Sequence, residues 1–78
     1  MLGLTDEEVE KYHELNRELE HYDYLINQID EDISNATTVD EKLELEAQKV
    51  ELLNKRYEVL NEKRKEAYNY AKQGAADL

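Results

Sequence analysis

The residues from Tyr12 to Ala36 constrain this chain more than any other stretch. Apolar side chains fall at Tyr12, Leu15, Leu19, Tyr22, Ile26, Ile29, Ile33 and Ala36, in steps that alternate three and four without a miss. Such steps hold side chains on one stripe of an α-helix, and a stripe this long is made to pack along a second helix. The second half of the chain supplies the partner. Val39, Leu43, Val50, Leu53, Tyr57 and Leu60 keep the rhythm, Glu46 and Arg64 occupy two polar places in it, and Ala67 ends it. Reversing the chain in the thirties sets position i against position 72 − i: Ile33 with Val39, Ile29 with Leu43, Tyr22 with Val50, Leu19 with Leu53, Tyr12 with Leu60. The expected fold class is all-α, two long helices forming an antiparallel coiled-coil hairpin that is able to dimerise into a four-helix bundle.

Nothing in the interior interrupts these helices. Proline is absent, and the two glycines stand at positions 3 and 74. With 78 residues the chain makes one helical-hairpin domain over 1–78, whose small core calls for a staple, a metal or a partner. The lack of cysteine excludes disulfides and thiolate metal sites and suits a reducing cytosol. No apolar run is long enough for a membrane span, so a soluble cytoplasmic protein is expected.

Local signals set the boundaries. Thr5-Asp6-Glu7-Glu8 reads as a capping box: the Thr5 hydroxyl accepts from the Glu8 amide, and the Glu8 carboxylate reaches back to the Thr5 amide. Leu4 and Val9 stand at the two places of a hydrophobic staple. The first helix is expected over about 5–34, close to 45 Å at 1.5 Å per residue. The turn is placed at 35–38, with Asn35 as a left-handed cap and Thr38 and Glu41 at capping-box spacing. The second helix then covers about 39–73, Gly74 stops it, and Ala75 to Leu78 fray. In this register Glu46 faces Ile26, where a carboxylate has to snorkel outward. Arg64 falls opposite Glu8 at the open end, a solvated pairing worth about 0.5 kcal/mol.

The charge is lopsided. Residues 1–34 hold eleven acids against Lys11 and Arg17, a net −9, whereas residues 35–78 hold nine acids against eight bases, a net −1. A field of this sign repels a phosphate backbone, so no direct nucleic-acid contact is expected and a basic partner surface is the natural complement. Glu7, Glu10, Glu14 and Glu18 line the outward side of the first helix as an acidic steering face. With Asp6 they would equally let the chain mimic a nucleic acid inside a basic groove.

Leu45, Leu52 and Val59 form a second apolar stripe on the second helix, spaced by seven and off the seam just described. Beside a small core, this stripe is the expected partner interface, extended by Tyr24, Leu25, Tyr68 and Tyr70. A second copy of the chain or a helical groove on another protein would cover it.

Catalytic chemistry has little to work with. There is no cysteine nucleophile or glycine-rich phosphate loop, and serine occurs once, at Ser34. Glu10 with His13, and Glu18 with His21, have the Glu-x-x-His spacing of carboxylate-bridged metal bundles, but both point away from the seam and read as a solvated face. The acidic turn residues Asp30, Asp32, Asp40 and Glu41 lack the glycine and ligand spacing of a calcium loop. No cofactor, metal site or enzymatic activity is expected.

Two resemblances accompany these residues. The outline of two long helices with an acidic tip looks like the coiled-coil domain of bacterial transcript-cleavage factors, which enters a polymerase channel. Ala47-Gln48-Lys49-Val50-Glu51 is similar to the Ser-Gln-Glu-Leu-Asp stretch of the hairpin aspartyl-phosphatases of sporulating bacteria. Only Gln48 is identical, and Glu51 stands where that family has its functional aspartate, so the activity does not carry over. The expectation that results is a non-enzymatic interaction module, an adaptor, assembly factor or inhibitor of the kind a phage or other accessory genome encodes. Its expected partner is a protein with a basic or apolar groove, and a homo-oligomer is expected as well. The alternatives are the nucleic-acid mimic and a metal-binding or phosphatase-like hairpin.

Overall fold

The computed structural model describes residues 5–76, and the side chains of 5–72. Two helices, α1 (Asp6–Asn35) and α2 (Val39–Ala76), lie antiparallel in a hairpin with extents of 60 × 16 × 13 Å. Among the described residues no helix is long and apolar enough to cross a membrane.

Side-chain caps start both helices. The amide of Glu8 donates to the Thr5 hydroxyl oxygen at 3.1 Å, and that hydroxyl donates to the Glu8 carboxylate at 3.1 Å. The return contact thus runs to the Thr5 side chain where the capping box anticipates its backbone amide. Asp6, Glu7 and Glu8 in the first turn suit the positive end of the helix dipole. At α2 the Glu41 amide donates to the Thr38 hydroxyl oxygen at 3.2 Å, and the Glu41 carboxylate accepts from the Thr37 amide at 3.5 Å. Leu4, the other half of the anticipated staple, lies outside the described residues.

Two boundary expectations are corrected. Helix α1 runs through Asn35 and ends on Ala36, whose extended backbone (φ −67°, ψ 138°) lets its amide donate to the Ile33 carbonyl. No residue among those described has positive φ, so Asn35 is not a left-handed cap. Gly74 does not stop α2, which continues to Ala76. A single glycine in a helix costs about 1 kcal/mol, too little to end one that alanines continue.

The seam of α1 lies where its heptads put it: Leu15, Leu19 and Ile26 are buried, and Tyr12, Tyr22, Ile29 and Ile33 are half-buried. On α2 the expected seam is overturned. Val39, Leu43, Val50, Leu53 and Tyr57 are 43–72% exposed, and only Leu60 of that set is drawn in, half-buried beside Val59. The inward face is instead Leu45, Lys49, Leu52, Arg56, Val59, Lys63, Glu66 and Tyr70, which alternate steps of four and three. The register moves with it. Asp30 meets Lys49, Asp23 meets Arg56, Lys11 meets Glu66 and the Glu8 carbonyl meets Tyr70, so partner numbers add to 77–79 in place of 72. This sets Ile33 opposite Leu45, Ile26 opposite Leu52 and Leu19 opposite Val59; Leu15, Leu19 and Val59 form the buried cluster.

Two physical causes account for the shift. The three residues 36–38 have to cross the roughly 8–10 Å between helix axes, and the first turn of α2 completes the reversal before pairing begins. The rotation of α2 goes with charge. Of its two apolar faces the inward one is the less hydrophobic, but it alternates Leu45, Leu52 and Val59 with the long cations Lys49, Arg56 and Lys63. Their stems cover the seam while their charges reach the acidic helix: Lys49 Nζ lies 2.6 Å from Asp30, Arg56 Nε lies 2.6 Å from Asp23, and Lys63 Nζ sits 5.2 Å above the Tyr12 ring. Each partly solvated pair contributes only about 0.2–1 kcal/mol, against about 1.5–3 kcal/mol for a fully buried aliphatic side chain. The apolar layers therefore hold the hairpin together, and the pairs favour the face of α2 that turns inward.

Candidate interaction surface

Leu45, Leu52 and Val59, expected on the outside as the partner interface, are the inward layers of α2, with Val59 9% exposed. Tyr70 is likewise drawn into the hairpin. Its ring packs on Tyr12 at 6.2 Å between centroids and its hydroxyl donates to the Glu8 carbonyl at 2.9 Å. Leu25 is half-buried, while Tyr24 and Tyr68 remain 60% and 67% exposed.

What the rotation of α2 leaves outside is the more hydrophobic face. Val39, Leu43, Val50, Leu53 and Tyr57 present one stripe, interrupted by Glu46 and continued toward the open end by Arg64 and Ala67. Glu46 does not face Ile26, and Arg64 does not reach Glu8; both are exposed, and neither makes an ion pair among the described residues. The column beside the stripe is Ala47, Asn54 and Asn61, all uncharged. At 3.6 residues per turn the stripe is centred roughly 110° around α2 from the hairpin seam. A side-by-side helix pair has no use for an apolar face in that direction.

At the open end, Lys11 Nζ bonds Glu66 at 3.0 Å and lies 3.6 Å from Glu62. The hydrogen bond and charge of Glu66 raise the Lys11 pKa, and the Lys11 hydrogen bond holds Glu66 below its ordinary value. Burial against α1, then the neighbouring Glu66, pushes the Tyr70 phenol up. Val9, Tyr12, His13, Ala67 and Tyr70 line a shallow groove beside this cluster, at the end of the exposed stripe.

The acidic face is placed on the outside of α1. Glu7, Glu10, Glu14 and Glu18 are exposed, and among the described residues only Glu10 of these meets a cation, Arg17 at 3.0 Å. His13 and His21 are exposed as well. Asp30, half-buried, is taken up by Lys49, and Asp32, Asp40 and Glu41 stand exposed around the turn. Among the described residues no three histidine or carboxylate side chains gather closely enough to hold a metal ion.

Compared with known proteins, the chain matches no family model, no curated protein and no solved structure. The fold defines it as an antiparallel helical hairpin, and its own surface has to carry any reading of function.

Proposed function

We propose that this chain is a non-enzymatic protein-interaction module, an adaptor, assembly factor or inhibitor that works by burying the outer stripe of α2 against a partner. The observation that carries the reading is that stripe: five large apolar side chains at heptad spacing, each 43–72% exposed. Scattered surface leucines are ordinary, but a row aligned along a helix is the pattern of a surface waiting for a partner. Affinity would come from the stripe, read by a helix or an apolar groove. The exposed carboxylates of α1, on the other helix, would act at longer range and steer the assembled module toward a basic surface.

The test places a photoreactive benzoylphenylalanine at Val50 in one variant and at Gln48, exposed on the opposite side of α2, in another. Irradiation in an extract of the native host is expected to give a discrete adduct from position 50 and none from position 48. Equal labelling from the two positions, or none from position 50, rejects the stripe as the interaction surface.

A further inference from the structure

We infer that the outer stripe of α2 is covered by a second copy of this chain, in an antiparallel two-fold pairing of α2 with α2 whose register is set by Glu46 and Arg64. The inference rests on the interaction-module reading and names its partner.

The stripe has two charged members, of opposite sign, and they are placed symmetrically. In a two-fold pair each contact occurs twice, residue i on residue j and j on i, so partner numbers keep a constant sum. When they add to 110, Glu46 of each copy meets Arg64 of the other. The same register sets Val50 against the partner's Leu60, Leu53 against the partner's Tyr57, and Leu43 against the partner's Ala67. Every layer of the pair is then apolar on apolar, with Leu60 offering only the part its own hairpin leaves uncovered, or opposite charge on opposite charge. Sliding by one heptad, to a sum of 103, puts Glu46 on the partner's Tyr57 and Arg64 on the partner's Val39, leaving four charges facing apolar side chains. Polar residues inside an otherwise apolar seam specify register in this way.

The flanks permit the approach. On one side of the stripe Ala47, Asn54 and Asn61 bring no charge. On the other, Lys49 and Arg56 are already paired with Asp30 and Asp23 of their own α1 and Lys63 lies over the Tyr12 ring, which leaves Lys42 as the flanking cation without an ion pair among the described residues. The angle fits as well. A helix in a four-helix bundle touches two neighbours near a right angle, and α2 carries two heptad faces roughly 110° apart, one filled by α1. Net charge opposes the union, since each copy carries −10, so association is expected to persist or strengthen as salt rises.

The experiment is sedimentation equilibrium of the purified full chain across a concentration series, for the wild type, Glu46→Arg, Arg64→Glu and the double swap Glu46→Arg/Arg64→Glu. Far-UV circular dichroism checks that each variant stays helical. The wild type is expected at twice the 9.2 kDa chain mass. Each single reversal sets two like-charge pairs in the dimer and is expected to weaken association by at least about tenfold, while the double swap restores it. A change of helicity cannot mimic that restoration. A wild type that dimerises but ignores the single reversals, or a double swap that fails to recover, overturns the register. A wild type monomeric at every concentration overturns the dimer. If position 50 still cross-links to a different protein, the interaction-module reading stands without it; if position 50 gives no adduct, both fall.

Discussion

Which face of α2 holds the hairpin is decided by comparing two valines on the same helix. Val59 lies in the inward layer and is 9% exposed, whereas Val50 lies on the outer stripe and is 56% exposed. Truncation to alanine removes two methyl-sized groups, worth about 0.8 kcal/mol each when fully buried. The loss is therefore about 1.5 kcal/mol at Val59 and about half that at Val50. Alanine returns roughly 0.5 kcal/mol of helix propensity at either position. Val59→Ala should thus destabilise the hairpin by about 1 kcal/mol, plus whatever the small cavity adds, and Val50→Ala by about 0.2 kcal/mol. For a domain of this size the difference is about 3–6 °C in Tm. Thermal unfolding followed by circular dichroism at 222 nm measures it. The measurement belongs on an Arg64→Glu background at low concentration, so that no second copy covers Val50. If Val50→Ala lowers Tm as much as Val59→Ala, the stripe at 43, 50 and 57 is the hairpin seam and the reasoning about α2 fails.

Two further outcomes follow from the open end of the hairpin. Glu66 titrates below its ordinary value of 4.5 in the folded chain, so its contribution is complete above that value and is lost as pH falls through the lower folded value. Lys11 and Tyr70 are both raised, from 10.5 and 10.0, so their contributions are complete below those values and are lost as pH rises through the folded ones. Urea unfolding across pH should show Glu66→Gln flattening the acid limb and leaving the shape at neutral pH unchanged; an unaltered acid limb refutes the assignment. Thr5→Ala removes the acceptor for the Glu8 amide and should cost about 1 kcal/mol, read as a lower urea midpoint, whereas Thr5→Ser should recover most of it. Equal loss in both variants would mean that the cap contributes nothing there.

Much of the architecture is legible in the chain itself. The uninterrupted three-four spacing from Tyr12 to Ala36 announces one long amphipathic helix, and the Thr5 and Thr38 caps announce where two helices begin. Their short connection leaves the antiparallel hairpin as the way to bury the first seam. The candidate surface was misread from the sequence, which puts Leu45, Leu52 and Val59 outside and the stripe from Val39 to Tyr57 inside, because α2 carries two apolar faces at heptad spacing and hydropathy favours the wrong one for the hairpin. The signal that separates them is electrostatic. Lys49, Arg56 and Lys63 recur every seven residues between Leu45, Leu52 and Val59, and α1 holds Asp23 and Asp30 at the same interval of seven.

The sequence by itself therefore determined the helices, their N-terminal caps, the buried face of α1 and the acid excess on its outer side, since all of these depend on neighbours within a few turns. Only the tertiary structure decided how α2 is rotated and where its pairing begins. Those depend on which side chains of one helix reach the other across the turn. Partly solvated ion pairs of less than about 1 kcal/mol each are too weak to hold the hairpin, but those that cross from Lys49 and Arg56 to α1 favour the less hydrophobic face of α2. That choice leaves Val39, Leu43, Val50, Leu53 and Tyr57 in water, on the side where a partner would have to come.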